Sequence, residues 1–580
     1  MHTMIKVSSF KRLWHPLFLI FLVALLLRLY LLGSYPAGFH IDEVKMGWNA
    51  LSILKTGEDD WGKAFPMYYN SFGDFRPTGY FYTIIPSLIL FGQNEFAVRF
   101  PSALFGALTV FVIYFLSKEI FEGKTGQKIG LFAAGLLTVS VWDVSLSRAS
   151  SEGIVGMFFS LLGLLFFIRL IKQPFVNSLS KYVLLVACCV SLILPYFYYH
   201  TPRLLTPIML IVTWAYYTKP WQYKKITSFK WVIAIIVIVS LTTVIFGLNK
   251  EARGRFSQVS IFNDLNIKHN LDLFPFEEGH NDVLMARIFH NKLVLWTQEG
   301  INQYTQYFSP RFFLIPFEAK PARYDSVGMG VLSYIEFFLL LAGVVAIIRG
   351  KYSILPALLL LTAPIPASLT TEDAPNQMRA LYMIPFVVII GAVGLQYLAS
   401  VLPKRRLVLG SIVAILLLNF LFFEHMYFIH NPQRPPIPGD RNVGAKEAAL
   451  NILLLQDKYD KIIVTNIPDS LYPWYAYFSG VDPKTFNEIA MGRGEKAWQY
   501  KNIYFSSVRC PSRDAFTRNN DNVLAVDAEG CEGEAKYSPA IQVLGRVQRG
   551  DKAYPYIFWH RVEKEVFPEV ASSSGIIDSN

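Results

Sequence analysis

Charge is scarce in this sequence. Only 17% of its 580 residues are Asp, Glu, Lys or Arg, against 53% hydrophobic ones. A soluble chain of this length would divide into several domains and carry more charge. Cysteine is scarcer still, at four, which excludes a disulfide-built scaffold. Cys188 and Cys189 are adjacent in an apolar block and read as packing residues. Cys510 and Cys531 lie in the C-terminal hydrophilic part. On an oxidising side a bond between them is permitted, and two free thiols are the alternative. There is no internal repeat, and the C-terminal part has no nucleotide-binding loop, nucleophile elbow or metal-spaced His or Cys cluster. No metal ligand is assigned, and a divalent cation is left open. The formal net charge is +11, yet no basic stripe interleaved with aromatics lies outside the apolar blocks. Nucleic acid is therefore set aside as a partner.

What the chain has instead is long apolar runs. They cover about 14–32, 99–120, 129–146, 153–171, 182–199, 203–218, 231–248, 329–348, 353–370, 380–400 and 407–427. Most have the roughly 18–22 residues that cross a bilayer core as a helix. The first could pass for a signal peptide, but it is long enough to span and no small-residue cleavage site follows it convincingly. A twelfth run, Tyr80 to Phe91, is short and suits an interfacial or re-entrant helix. Charge decides its place. If it does not cross, Lys6/Lys11/Arg12, Lys124/Lys128, Arg169/Lys172/Lys181, Lys219/Lys224/Lys225/Lys230, Arg349/Lys351 and Lys404/Arg405/Arg406 all share one side. That is the positive-inside pattern. The expectation is a mainly α, multi-pass protein of about eleven spans in the plasma (inner) membrane. Its N-terminus is cytoplasmic and its C-terminus outside.

Three hydrophilic regions then face outward: about 33–98, about 249–328, and everything from about 428. The domain division expected is 1–430 for the membrane part and 431–580 for an extracytoplasmic α/β domain. A breaker cluster from Asn431 to Gly439 opens that domain. Val443, Leu450, Leu453 and Leu454 have helical spacing. Residues 461–465, 502–505 and 523–526 read as strands. An accessory or acceptor-binding role fits it best.

Three outer stretches carry chemistry. In the first, Asp42 and Glu43 directly follow the first span and open a helix with Ile41, Val44, Trp48 and Leu51 on one face. The pattern predicts an amphipathic interfacial helix. Asp42 is either its cap or a base that deprotonates a hydroxyl acceptor beside a lipid-borne donor. In the second, Arg76-Pro77 leads into the short apolar run, where a guanidinium beside a helix N-terminus suits a phosphate. A snorkelling Arg is the alternative. In the third, Arg148 and Glu152 flank an outer turn, as an ion pair or as cavity-lining charges. His200, Arg203, Arg253, Arg255 and Arg379 sit at further outer positions, as interface anchors or as cations for a lipid phosphate. Trp48, Trp61, Tyr68, Tyr69, Tyr304 and Tyr307 suit sugar faces or an interfacial belt equally.

The Asp42-Glu43 pair, Arg76-Pro77, Arg99 to Gly106 entering a helix, and Arg148-x-x-x-Glu152 together resemble the protein O-mannosyltransferase and lipid A aminoarabinose transferase families. The resemblance covers roughly 14–220, is weaker through Pro364 to Pro385, and does not reach the C-terminal domain. It implies a GT-C fold and a polyprenyl-phosphate sugar donor. Asp42 maps to the catalytic carboxylate and Glu152 to the second acid, with Glu43 beside them. Arg76 stands where the lipid A transferases carry Lys. Arg76, Arg148, His200, Arg203, Arg255 and Arg379 are then the donor-phosphate candidates. The function implied is an inverting membrane glycosyltransferase with a lipid, glycan or protein acceptor and membrane lipids around it. A flippase of lipid-linked sugars and an envelope polysaccharide polymerase or ligase are the alternatives.

Overall fold

The computed structural model describes residues 5–71, 74–172, 178–218, 229–278, 283–466, 470–490, 497–516, 522–531 and 541–561. Among them six helices are long and apolar enough to cross a membrane: Glu95–Phe121, Glu152–Lys172, Leu179–Phe197, Lys230–Leu248, Leu381–Val401 and Arg405–His430. The other expected blocks are helical too, but shorter, broken or less apolar: His15–Leu29, Tyr334–Ile348, Leu355–Ser368 and Thr201–Thr218. Helices are what apolar sequence must form in lipid, because they satisfy every backbone polar group internally. The short run forms helix Gly79–Phe91, of 13 residues.

The third expected span is not one straight helix. Gly123–Thr138 and Val141–Arg148 meet at a bend of 54°. Arg28, at the end of helix Ile5–Leu29, holds that bend. It donates to the Leu137 carbonyl at 3.1 Å and to Asp143 Oδ2 at 2.5 Å. The Leu137 carbonyl lies in the last turn of the first piece, where no intrahelical donor reaches it. Asp143 lies in the first turn of the second piece, where the dipole favours an anion. Elsewhere glycines let helices touch. A Cβ on Gly343 or Gly394 would overlap the backbone carbonyls of Ile390 and Leu339, so Tyr334–Ile348 and Ile384–Val401 pack backbone to backbone.

By contact the chain falls into two compact units. The first holds residues 1–30, 73–79 and 102–424; the second holds 31–72, 80–101 and 425–580. The stretch 249–328 contributes helices Lys250–Val259, Leu265–Glu277, Val283–Phe289 and Lys292–Gln306 to the first unit. Two short strands, β1 (Tyr68–Ser71) and β2 (Asp74–Pro77), precede helix Gly79–Phe91.

The second unit is built around a six-stranded sheet of order β4-β5-β3-β6-β8-β7. Its strands are β3 (Lys461–Thr465), β4 (Trp498–Tyr500), β5 (Ile503–Ser506), β6 (Val523–Ala528), β7 (Ile541–Val547) and β8 (Tyr556–Arg561). β3 pairs in parallel with β5 and β6; the edges are antiparallel. The fully buried β6 reads as a continuous apolar run broken only by Asp527, as a central strand should. Helix Ala445–Leu455 takes in Leu450, Leu453 and Leu454 of the helical spacing and begins after Val443. Cys510 and Cys531 are bonded, with Cα atoms 5.7 Å apart.

Helix Ile41–Thr56 corrects the interfacial reading. Val44, Trp48 and Leu51 are buried as expected, but so are Lys45, Asn49 and Ser52 on its polar side. Trp48 packs edge-on against Phe486 and donates its indole N–H to Asn487. Asn487 in turn donates to Ser52. Protein hydrogen bonds, rather than lipid headgroups, satisfy that polar side.

Candidate functional site

Helix Ile41–Thr56 is closed at its N-terminus by a reciprocal cap. His40 Nδ1 accepts the N–H of Asp42, and Glu43 Oε2 accepts the N–H of His40 at 3.1 Å. The capping role that the sequence allowed to Asp42 therefore belongs to His40 and Glu43. The two adjacent acids then part ways. Glu43 is held by Arg99, through Nε at 3.1 Å and Nη2 at 2.9 Å, and by Arg441 Nη2 at 2.8 Å. Its side chain is 5% exposed and those of both arginines less. Arg99 also donates to the carbonyls of Leu32 and Gly38, and Arg441 to that of Ala37. Gly38, at φ +78°, admits this packing because a Cβ there would collide with Val443 and Arg441. Asp42 points elsewhere: its side chain is 20% exposed and lies 3.6 Å from His40 Nδ1. Of the pair, Asp42 is the accessible carboxylate and Glu43 the buried anchor.

In the first unit the turn at Tyr198-Tyr199-His200 lies near several charged side chains. Gly79 brings the segment after Arg76 against the Phe197 carbonyl, so closely that a Cβ would overlap it. Phe75 beside Gly254 packs the same segment on helix Lys250–Val259. The Tyr199 hydroxyl lies within electrostatic reach of Arg379, Glu152, Tyr324 and Arg76. Burial raises its pKa; the two arginines pull it down and Glu152 pushes it up. Arg379 is steadied by Thr370 at 2.9 Å and by the Glu372 carboxylate at 2.6 Å. So Arg76, Glu152 and Arg379, far apart in sequence, all lie within electrostatic range of one tyrosine hydroxyl.

Other candidates have structural tasks. Arg148 is buried and donates to the Leu27 and Tyr30 carbonyls, each at 2.7 Å, at the end of helix Ile5–Leu29. Its two terminal nitrogens close a helix end, where cations and donors are wanted. Arg203 donates to the Tyr196 carbonyl and pairs with His200 Nδ1 at 2.8 Å, fixing the turn beneath Tyr199. Pro77 is part of β2, not of the following helix, which begins at Gly79. Arg253 is exposed, and the Arg255 side chain lies outside the described residues. Among the described residues no group of three His, Cys, Asp or Glu side chains could hold a metal ion.

Sequence reasoning missed Arg441, which is 398 residues from Glu43 and carries no local signal. It also named Tyr199 only as part of a turn. The Tyr-Tyr-His-Thr-Pro-Arg string at a span end was the signal for that position.

Apolar helices long enough to span, together with a mixed sheet, define a multi-pass membrane protein. Residues 76–246 match the sequence profile of the dolichyl-phosphate-mannose-protein mannosyltransferases. ArnT from Cupriavidus metallidurans bound to undecaprenyl phosphate aligns over 97% of this chain and 99% of its own, at 12% identity and a TM-score of 0.50. The apo state of the same protein aligns over 94% and 97%, at 11% identity and a TM-score of 0.51. At such identities the likeness concerns the fold alone. No curated protein matches the chain in sequence. Over residues 76–246 the chain is thus similar to that family, and over nearly its whole length it shares the fold of ArnT.

Proposed function

We propose that this protein transfers a sugar from a polyprenyl-phosphate carrier to an acceptor hydroxyl on the outer face of the membrane, with inversion. The convergence of Arg76, Arg379 and Glu152 on the Tyr199 hydroxyl carries the reading. Cations at the outer end of spanning helices suit a phosphate whose polyprenyl tail stays in lipid. Arg76 and Arg379 bind the donor phosphate and stabilise it as it leaves. Arg203 and His200 position the turn, and Arg148 closes a helix end. None of the three then contacts donor.

Asp42 is the general base. The acceptor oxygen attacks the anomeric carbon and the bond from that carbon to the phosphate oxygen breaks. Asp42 takes the acceptor proton, and the carrier departs as polyprenyl phosphate. A single displacement inverts the anomeric centre. Glu43, closed between two arginines, positions Asp42 through the cap rather than touching substrate. The positive-inside pattern supports a cytoplasmic N-terminus and an outer C-terminal domain in the plasma (inner) membrane. The test is transfer from a polyprenyl-phosphate sugar by full-length protein in detergent. Wild-type turnover is expected to vanish in Asp42→Asn while undecaprenyl phosphate binding persists. Equal turnover in that variant overturns the assignment.

A further inference from the structure

Beyond the capped N-terminus, helix Ile41–Thr56 keeps a polar line on the face that starts with Asp42. Lys45 and Asn49 follow it at i+3 and i+7, so the three project from one side. Lys45 is 3% exposed and Asn49 0%. Burying an ammonium and an amide is costly unless they are used. The turn after the helix meets this line. Asn49 Oδ1 accepts the backbone N–H of Asp60 at 3.0 Å, and Asn49 Nδ2 donates to the Lys45 carbonyl at 3.0 Å.

Asp60 is not what holds that turn. Asp59 Oδ1 accepts the N–H groups of Trp61 and Lys63, at 3.0 and 2.8 Å, and so forms it. The Asp60 carboxylate takes no part in forming the turn; it faces the Asn49 amide and the Lys45 charge, and its Oδ1 is buried without a hydrogen-bond partner. Burial lifts its pKa to about 6 against the pull of Lys45. The Tyr472 hydroxyl is within electrostatic reach of Asp60 and Tyr69. Tyr69 itself is buried. A few fixed polar groups among aromatic rings is how proteins take small polar ligands.

We propose that Lys45, Asn49, Asp60 and Tyr472 form a hydroxyl-binding subsite on the Asp42 face, which receives the sugar of a glycan acceptor. Carboxylate, amide, ammonium and phenol match a polyol's many donors and acceptors. A peptide acceptor would instead offer its backbone, for which no free strand edge is needed here. The proposal rests on Asp42 being the acceptor's base, and it narrows the acceptor class to hydroxyl-rich glycans.

The probe is mannobiose, followed by saturation-transfer NMR on full-length protein in a detergent without a sugar headgroup. Wild type is expected to transfer saturation to mannobiose. Asp60→Asn keeps the shape and is expected to weaken binding about tenfold with an unchanged melting temperature. Tyr472→Phe, which keeps the ring packing, is expected to act in the same direction and covers a failure of the first variant to fold. Mannobiose binding that is absent in wild type, or equal in both variants, overturns the subsite. Undecaprenyl phosphate binding is measured alongside. If it is intact while mannobiose fails, the subsite falls and the donor reading stands.

Discussion

The two units handle buried charge in the same way, and each divides a short sequence motif into two jobs. In the sheet-containing unit, Asp42-Glu43 splits into an accessible carboxylate and an anchor locked by Arg99 and Arg441. In the helical unit, Arg148-x-x-x-Glu152 splits into an arginine closing a helix end and an acid near Tyr199. The lesson is that adjacent charged residues do not share a role. In each motif one residue builds the scaffold through its protein hydrogen bonds, and the other does not share that task.

The first way to break this comparison is to neutralise each acid of the pair in turn. Asp42→Asn is expected to lower turnover by about 10²–10⁴ with an unchanged melting temperature. Since His40 provides the cap, the Asn variant has no capping defect to explain a loss. Glu43→Gln leaves two buried guanidinium groups facing a neutral amide, and is expected to cost about 3–5 kcal/mol of stability. The chemical and structural roles are exchanged if Asp42→Asn melts early while Glu43→Gln stays folded and inactive.

The arginines give the matching test in the other unit. Arg76→Ala is expected to weaken undecaprenyl phosphate binding about tenfold or more, the worth of a charge-assisted hydrogen bond, and Arg76→Lys by less. Arg148→Ala strips the donors from two helix-end carbonyls and is expected to cost about 1–3 kcal/mol of stability with donor affinity kept. Binding isotherms beside melting curves separate the two. Loss of donor affinity in Arg148→Ala alone would restore it to the site and remove Arg76.

Much of this was legible in the sequence because its causes are local. Apolar length marks the helices, and a run such as Lys461 to Thr465 marks a strand. What was not legible depends on partners distant in the chain. Nothing near Val139 announces a bend, since Arg28 fixes it from another helix. The helix at Ile41 reads as interfacial because Lys45, Asn49 and Ser52 look solvated; Asn487 and Asp60 are what make their burial tolerable. Residues 249–328 have a hydrophilic loop's composition, and their helices are stabilised by a small shared core of Ile261, Ile267 and Leu295.

Covalent closure sharpens the contrast at a smaller scale. The Cys510–Cys531 bond closes a loop with a sequence separation of 21 residues in the sheet-containing unit. Cys510→Ser is expected to destabilise that unit by about 3 kcal/mol through the greater freedom of its unfolded chain. Limited proteolysis with and without reductant measures it. Equal protection in both conditions removes the bond from the stability of the sheet.

The smallest effect concerns an acid buried without a role in transfer. Asp325 accepts N–H groups from Phe317 and Ser326, yet burial outweighs them and lifts its pKa from 3.8 to about 7. In the folded protein the group keeps its proton up to that pH, whereas in the unfolded chain it loses it near 3.8. Between those values the native state binds more protons than the unfolded one, so stability falls as pH rises, and it levels off above about 7. Asp527, in the other unit, is shifted in the same direction by burial, so each unit adds a term of the same sign. Asp325→Asn keeps an acceptor for one backbone N–H and removes the titration. The drop in melting temperature between pH 5 and pH 8 is expected to shrink by about 2 °C in this variant, the equivalent of roughly 2–3 kcal/mol for a chain of this size. An unchanged drop would mean that Asp325 is already ionised in the fold, held by its hydrogen bonds and by Lys320, and that burial has lost to them.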